Sequence, residues 1–258
     1  MKTLFYNNIK FKHLVLILSI ILFSCNNIEY SVHDIKAENT KVLDYSAKND
    51  EINSIISPYR NQIKKLEKEI GYSKKSLSVR DGDLESTLGN FIADVLMKES
   101  DSLFNSITSQ RIDFCLLNKG GVRGTLNKGR ITHHNLINIL PFENTSTVVK
   151  LTGKKILELL EYLNSENKAH PSSGIKIEFI NNKINSVLIG GKKFDVKKKY
   201  YVLTSNYLQA GGDKMNFFTN PLELYSLNTN IREVLIDHIS KIKIVEGKLD
   251  KRIVRLNE

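Results

Sequence analysis

The feature that most limits how this chain can fold is its repeated switch between two hydrophobic periods. ESTLGNFIADVLMKES, residues 85–100, puts Leu88, Phe91, Ile92, Val95 and Leu96 on one face at helical spacing. IDFCLLN, residues 112–118, reads as a buried strand around the apolar FCLL, and KGGVRGTLNKG after it is a glycine-rich loop. The switch then recurs. HHNLINIL predicts a short helix topped by His133 and His134 and ended by Pro141, STVVKLT an alternating strand, and GKKILELLEYLNS an amphipathic helix. GIKIEFINNKINSVLIGGKKF predicts a hairpin turning at Asn181 and Asn182. YYVLTSN reads as a strand, NIREVLIDHISK as a helix and KRIVRL as a terminal strand. Upstream, apolar residues at 52, 55, 56, 59, 63 and 66 form a helical stripe that Pro58 should kink, or else the helix begins near Ser57. A strand and a charged loop are expected over 68–83. The pattern predicts a mixed α/β (α+β) domain over 47–258, with one mixed sheet flanked by helices and partly antiparallel through its hairpins.

The N-terminus has a different character. Lys2, Lys10 and Lys12 precede LVLILSIILF, and LFSC ends that run at Cys25. The apolar stretch has the length of a secretory signal core and is short for a bilayer span. Basic, then apolar, then small residue and cysteine resembles a bacterial lipoprotein signal. That resemblance implies a signal peptide over 1–24, lipidation at Cys25, a polar tether over 25–46, and a protein held to a bacterial membrane by its lipid alone, facing the periplasm or exterior. Cys115, in an apolar run, is then a small buried hydrophobe, and no disulfide framework remains. Without the three leader lysines the formal charge falls from +10 to +7, which suits an anionic partner. The lysines are scattered, with no aromatic-interleaved basic stripe, so a nucleic-acid partner is not expected.

Three loops hold unusual groups. NKGGVRG sets Arg123 behind two glycines, where a guanidinium can meet an anion in a backbone-lined notch or form a surface ion pair. PFENT offers Phe142, as core or as an exposed ring, and Asn144, as a cap or a ligand contact. YLQAGGDKM adds Tyr207 and Asp213 around a Gly-Gly that either reverses the chain or lets backbone approach a ligand. An acid there disfavours a phosphate cradle and suits a base or sugar.

Taken together these segments resemble the C-terminal, substrate-recognition domain of the 5′-nucleotidase family. ESTLGNFIADVL matches an E-x-x-L-G-N-x-x-x-D helix, NKGGVR an N-x-G-G-I-R loop, LPFENT a P-F-x-N turn, and YLQAGGD an aromatic-L-A-x-G-G-D loop. LTGKKILELLE and the glycine of SSGI continue the match. The resemblance implies that Phe142 and Tyr207 sandwich a nucleobase, Asp213 receives a ribose hydroxyl and Arg123 holds ligand oxygens. It also implies that Asn144 contacts the base and Gly174 is a close-approach position. Of the further arginines that the family brings from ahead of the helix, only Arg80 is available. Tyr207 stands where phenylalanine is common, and GGDKM replaces GGDG plus an aromatic.

The hydrolytic half of such enzymes resembles a calcineurin-type metallophosphatase, with ligands in Asp-x-His and Gly-Asn-His-Asp/Glu motifs; this sequence has neither. The expectation is therefore the recognition half of a split periplasmic 5′-nucleotidase. No catalytic residue, metal or cofactor is expected in this chain, which should be inactive alone, with divalent metals on a separately encoded metallophosphatase. The alternatives are a stand-alone nucleoside- or nucleotide-binding lipoprotein and a structural lipoprotein that keeps the fold without the slot.

Overall fold

The computed structural model describes residues 32–39 and 49–256. Cys25 and most of the expected tether lie outside them. Residues 32–39 are exposed and carry no helix or strand, and the compact unit considered below is Ile52–Glu258.

In the described residues the elements run α1 (Asp50–Leu66), β1 (Glu69–Ser73), β2 (Leu77–Ser78), α2 (Thr87–Thr108), β3 (Phe114–Leu116), β4 (Thr125–Leu126), β5 (Gly129–Thr132) and α3 (His133–Ile139). They continue through β6 (Thr145–Thr152), α4 (Gly153–Glu166), β7 (Ser172–Ser173), β8 (Ile175–Ile180), β9 (Lys183–Ile189), β10 (Lys192–Lys193), β11 (Lys199–Ser205) and α5 (Asn206–Gln209). The last elements are β12 (Glu223–Asn230), α6 (Ile231–Ile242), β13 (Ile244–Val245) and β14 (Ile253–Leu256).

The central sheet has strand order β12-β6-β11-β3-β7. It is mixed: β11 runs parallel to β3 and antiparallel to β6. Its inner strands β3 and β11, and the Val148-Val149 pair of β6, are buried on both faces. Successive side chains divide between two cores, as the two-residue period of a strand requires. Cys115, Val148 and Leu203 enter one core with residues of α2, α3 and α6. Phe114, Val149 and Val202 enter the other with α4, β8 and the Met215–Phe218 segment. Burial pushes the Cys115 thiol pKa up.

A second sheet, β10-β9-β8-β14, contains the expected hairpin. Asn181 and Asn182 turn it with φ of 50° and 60°, the left-handed pair that a two-residue hairpin loop needs. Smaller sheets β13-β1-β5 and β2-β4 complete the fold.

The first helix does not begin near Ser57; of the two alternatives, the described residues have the one in which the helix continues through Pro58, from Asp50 to Leu66. Proline at 58 removes the amide that would bond the Ser54 carbonyl, and the Ser57 hydroxyl donates to that carbonyl instead, at 3.3 Å. The apolar stripe does not mark a buried face either, since Ile55, Ile56, Tyr59 and Ile63 are all exposed.

The ESTLGNFIAD segment is used for architecture. Ser86 caps α2 by accepting from the Gly89 amide, and a methyl group at Gly89 would meet Ser86 Oγ at 2.7 Å. Glu85 is buried and accepts from the amides of Asp250 and Lys251. Asn90 donates to Glu85 and to the Lys248 carbonyl, while Asp94 takes both terminal nitrogens of Arg252. One face of α2 thereby fastens the C-terminal segment.

Candidate functional site

Three connections meet at one end of the central sheet, beyond the C-terminal ends of parallel neighbours β3 and β11 and at the start of antiparallel β6. This is where ligand sites of α/β sheets lie. The Thr145 amide donates to Asn206 Oδ1 at 3.0 Å, and the Ile231 amide to the Asn144 carbonyl at 3.0 Å, so the segments before β6 and after β11 are tied together and to α6. Between them opens a cleft of about 210 Å³, lined by Arg123, Phe142, Asn144, Tyr207, Asp213, Asn118 and the Gly120-Gly121 backbone.

Five of the residues singled out in the sequence thus share one cleft. Phe142 and Tyr207 are each 45% exposed, which excludes a core role for either ring. Tyr207 is not a strand residue. Ser205 ends β11 by accepting from the Leu208 amide at 3.2 Å, and the chain turns into the single helical turn α5. Gly211 then needs φ of +90°, and Gly212 has to be bare because the Tyr207 ring lies against it. The Arg123 guanidinium stands 5.6 Å from the Phe142 ring centroid, within cation–π range.

Asp213 is held from four directions. Its Oδ2 accepts from Asn118 Nδ2 at 2.6 Å and its Oδ1 from the Tyr207 hydroxyl at 3.0 Å. Its amide donates to that same hydroxyl at 3.3 Å, and its carbonyl accepts from the Tyr162 hydroxyl at 2.9 Å. Asn118 and Tyr162 were not among the predicted site residues. Asn118 opens the NKGGVR motif, so a local signal existed. Tyr162 sits on α4 with nothing in its own segment to mark it.

Two predicted residues are placed elsewhere. Gly174, at φ of +79°, makes its close approach to the chain itself: a methyl group there would meet the Asp113 carbonyl at 2.8 Å and Phe114 Cα at 3.1 Å. Arg80 lies in the exposed segment after β2, its amide bonded to Ser78 Oγ, and is not among the cleft residues. His133 and His134 begin α3 under a Thr132–Asn135 capping box, with His134 bonded to Glu67.

A second cavity of about 430 Å³ adjoins the cleft across Gly120 and Asp213, with Lys119, Lys168, Lys214 and His170 on its walls. His170 is buried, and its Nδ1 accepts from the Lys119 amide at 3.2 Å. Burial pushes its pKa down to about 4, so the ring is neutral. A further cavity of about 710 Å³, beside Phe91 and His238, contains none of the predicted residues. Among the described residues no three His, Cys, Asp or Glu side chains converge to hold a metal ion.

Residues 63–220 match the family model described as 5′-nucleotidase, C-terminal domain. The chain is 30% identical over 230 residues to the trifunctional nucleotide phosphoesterase protein YfkN of Bacillus subtilis (strain 168), covering 81% of this chain and 15% of that protein. It is 28% identical over 194 residues to protein UshA of Escherichia coli (strain K12), covering 70% of this chain and 32% of the relative. The chain therefore spans a third or less of the length of these relatives. Its fold matches that of a 5′-nucleotidase precursor from Thermus thermophilus at a TM-score of 0.68 and 24% identity, over 80% of this chain and 43% of that one.

Proposed function

The chain belongs to the 5′-nucleotidase C-terminal domain family, and from that premise we propose that it is the recognition half of a split nucleotidase. It holds the nucleoside part of a nucleotide while a separately encoded metallophosphatase hydrolyses the phosphomonoester. The observation that carries this reading is the convergence of two half-exposed rings, a guanidinium and a carboxylate on one cleft.

Each group has a task that its chemistry suits. A base between Phe142 and Tyr207 gains roughly 1–3 kcal/mol per stacking contact and need not be one particular base, since every base has a π-face. Asp213 accepts from the sugar, and Asn144 contacts the base edge. Arg123 has no carboxylate in ion-pair contact among the described residues, so its charge is free to draw ligand oxygens into the cleft. The described residues do not supply a metal-ligand set. Divalent metals belong to the partner, where they would activate water and clamp the phosphate. A lipid on Cys25 would hold the chain at the membrane on the periplasmic or outer side and keep it beside that partner.

The test is calorimetric titration of the purified chain with nucleosides and nucleoside monophosphates, beside hydrolysis assays with Mn²⁺, Co²⁺, Mg²⁺ or Zn²⁺. Binding without turnover, and turnover restored by the partner recovered with the native lipoprotein, supports the proposal. Metal-dependent turnover by the chain alone overturns it. Binding with no partner that restores turnover points instead to a stand-alone nucleoside-binding lipoprotein.

A further inference from the structure

The cavity of about 710 Å³ beside α2 shares no lining residue with the nucleoside cleft. Its floor is apolar. Phe91 and Val95, one turn apart on α2, line it and are only 7% and 4% exposed. Lys98 follows at the next turn of the same helical face and is exposed. Lys75, between β1 and β2, and Lys248, after β13, are exposed on the other walls, and α6 contributes the buried His238.

The acids around this cavity are engaged within the chain. Asp94 accepts from both terminal nitrogens of Arg252 at 2.9 and 3.0 Å, Glu246 is paired with Lys74, and Glu99 is bonded to His238 Nδ1 at 2.7 Å. By contrast, Lys75, Lys98 and Lys248 have no carboxylate within ion-pair distance among the described residues. The volume falls in the range of small-molecule sites, about 300–1,000 Å³. A bare inorganic anion would answer the lysines and leave the apolar floor wet, whereas an uncharged apolar molecule would cover the floor and leave the cations without a partner. One molecule uses both features only if it joins an apolar body to an anionic head. A membrane surface can meet the lysines, but it cannot reach a recessed floor that is almost wholly buried.

We propose that this cavity is a second ligand site, which takes a small amphiphilic anion: an aliphatic or aromatic acid whose body lies on Phe91 and Val95 and whose head is drawn by Lys75, Lys98 and Lys248. The site does not depend on the nucleoside reading of the cleft. Lysine ammoniums are point charges on flexible stems, so they select the sign of the head and not its shape. Because all three are exposed, each contributes modestly and is screened by salt. Selectivity therefore comes from charge and apolar body together, and neither alone suffices.

The experiment titrates the 258-residue chain by calorimetry with decanoate, decyltrimethylammonium and inorganic phosphate, each below any micelle concentration. The decanoate titration is repeated with a triple variant, Lys75→Gln, Lys98→Gln and Lys248→Gln, which changes exposed side chains only and should melt as the parent does. The expected result is that the parent binds decanoate, and binds the other two probes about tenfold or more weakly, while the triple variant loses about tenfold in decanoate affinity. The parent's decanoate affinity should also fall as salt is raised, a test that stands even if the variant fails to fold. The proposal is overturned if decanoate does not bind, if the two decyl probes bind equally, if phosphate binds as tightly as decanoate, or if a folded triple variant keeps its affinity. It is overturned too if the parent ignores decanoate but binds phosphatidylglycerol vesicles through these lysines, as loss of that binding in the triple variant would show. None of these outcomes bears on the nucleoside cleft.

Discussion

Gly212 lies directly against the ring of Tyr207: a methyl group on Gly212 would meet Cε1 and Cζ of that ring at 2.4 Å. The Gly-Gly of the YLQAGGD loop is therefore two separate requirements. Gly211 is needed for its backbone, at φ of +90°, and Gly212 for the space above it. Gly212→Ala should push the half-exposed Tyr207 ring out of place with a stability change below about 0.5 kcal/mol, as for most surface substitutions. Affinity for nucleosides should fall by roughly 1–3 kcal/mol, one stacking contact. Gly211→Ala should instead cost stability, on the order of 1–3 kcal/mol of backbone strain. Thermal melts and titrations of the two variants, side by side, check the division.

Phe142 is the opposite wall. Truncating a buried aromatic costs about 3–5 kcal/mol of stability, but Phe142 is 45% exposed and packs against the Arg123 guanidinium. Phe142→Ala should therefore lose roughly 1–3 kcal/mol of ligand affinity and little stability. Phe218→Ala, at a side chain that is fully buried, should do the reverse. If Phe142→Ala unfolds as easily as Phe218→Ala while its affinity is kept, the ring is structural and the cleft has one wall fewer.

How much of this was legible in the sequence depends on whether the cause is local. The central strands could be read from their apolar residues: FCL of β3 is buried on both faces, and in β6 the adjacent Val148 and Val149 enter different cores. The edge strand β12, ELYSLNTN, was not read: it pairs on one side only, and its exposed positions Leu224, Ser226 and Asn228 show no apolar alternation. The wall rings and Asp213 came from loop motifs. The bond that fixes Asp213 spans 95 residues to Asn118, and no local pattern carries such a partner. The same holds for Glu85 and Asp94, whose helix was legible and whose bonds to residues 250–252 were not.

His170, beside the cleft, should make the protein sensitive to mild acid. Burial, with Lys168 nearby, lowers its pKa from 6.5 to about 4. Between those values the unfolded chain binds a proton that the folded chain does not, so the contribution is intact above about pH 6.5 and is lost as pH falls toward 4. From pH 7 to 5 that amounts to about 2 kcal/mol by linkage, at 1.36 kcal/mol per pKa unit. Urea titrations should show this loss in the parent and not in His170→Gln, which offers the Lys119 amide an acceptor without a titrating ring. An equal loss in both would mean that His170 is not the group responsible.

Arg252 should be the charge on which the fold depends most. It is only 5% exposed, and its guanidinium donates to both oxygens of Asp94 at 2.9 and 3.0 Å, both oxygens of Asp250 at 2.9 and 2.8 Å, and the Ser172 carbonyl. These bonds join α2, β7 and the strand β14 that closes the second sheet. Arg252 is buried, but the Asp94 and Asp250 side chains are 51% and 33% exposed, so water can take up the carboxylates that Arg252→Ala leaves behind. The variant should lose about 1–3 kcal/mol in urea at pH 7, the cost of the charge-assisted hydrogen bonds. Arg252→Lys should recover only part of it, because an ammonium cannot fork to two carboxylates at once. The hydrogen bond from Arg252 holds the Asp250 carboxyl below its ordinary pKa of 3.8. A depressed acid contributes stability that is present above its unfolded value and lost as pH falls through the folded one. The gap between parent and Arg252→Ala should therefore narrow below about pH 4, where the parent loses what the variant never had. A gap that is small at pH 7, or that stays constant down to pH 3, would show that the Arg252 cluster does not hold the C-terminal segment to α2.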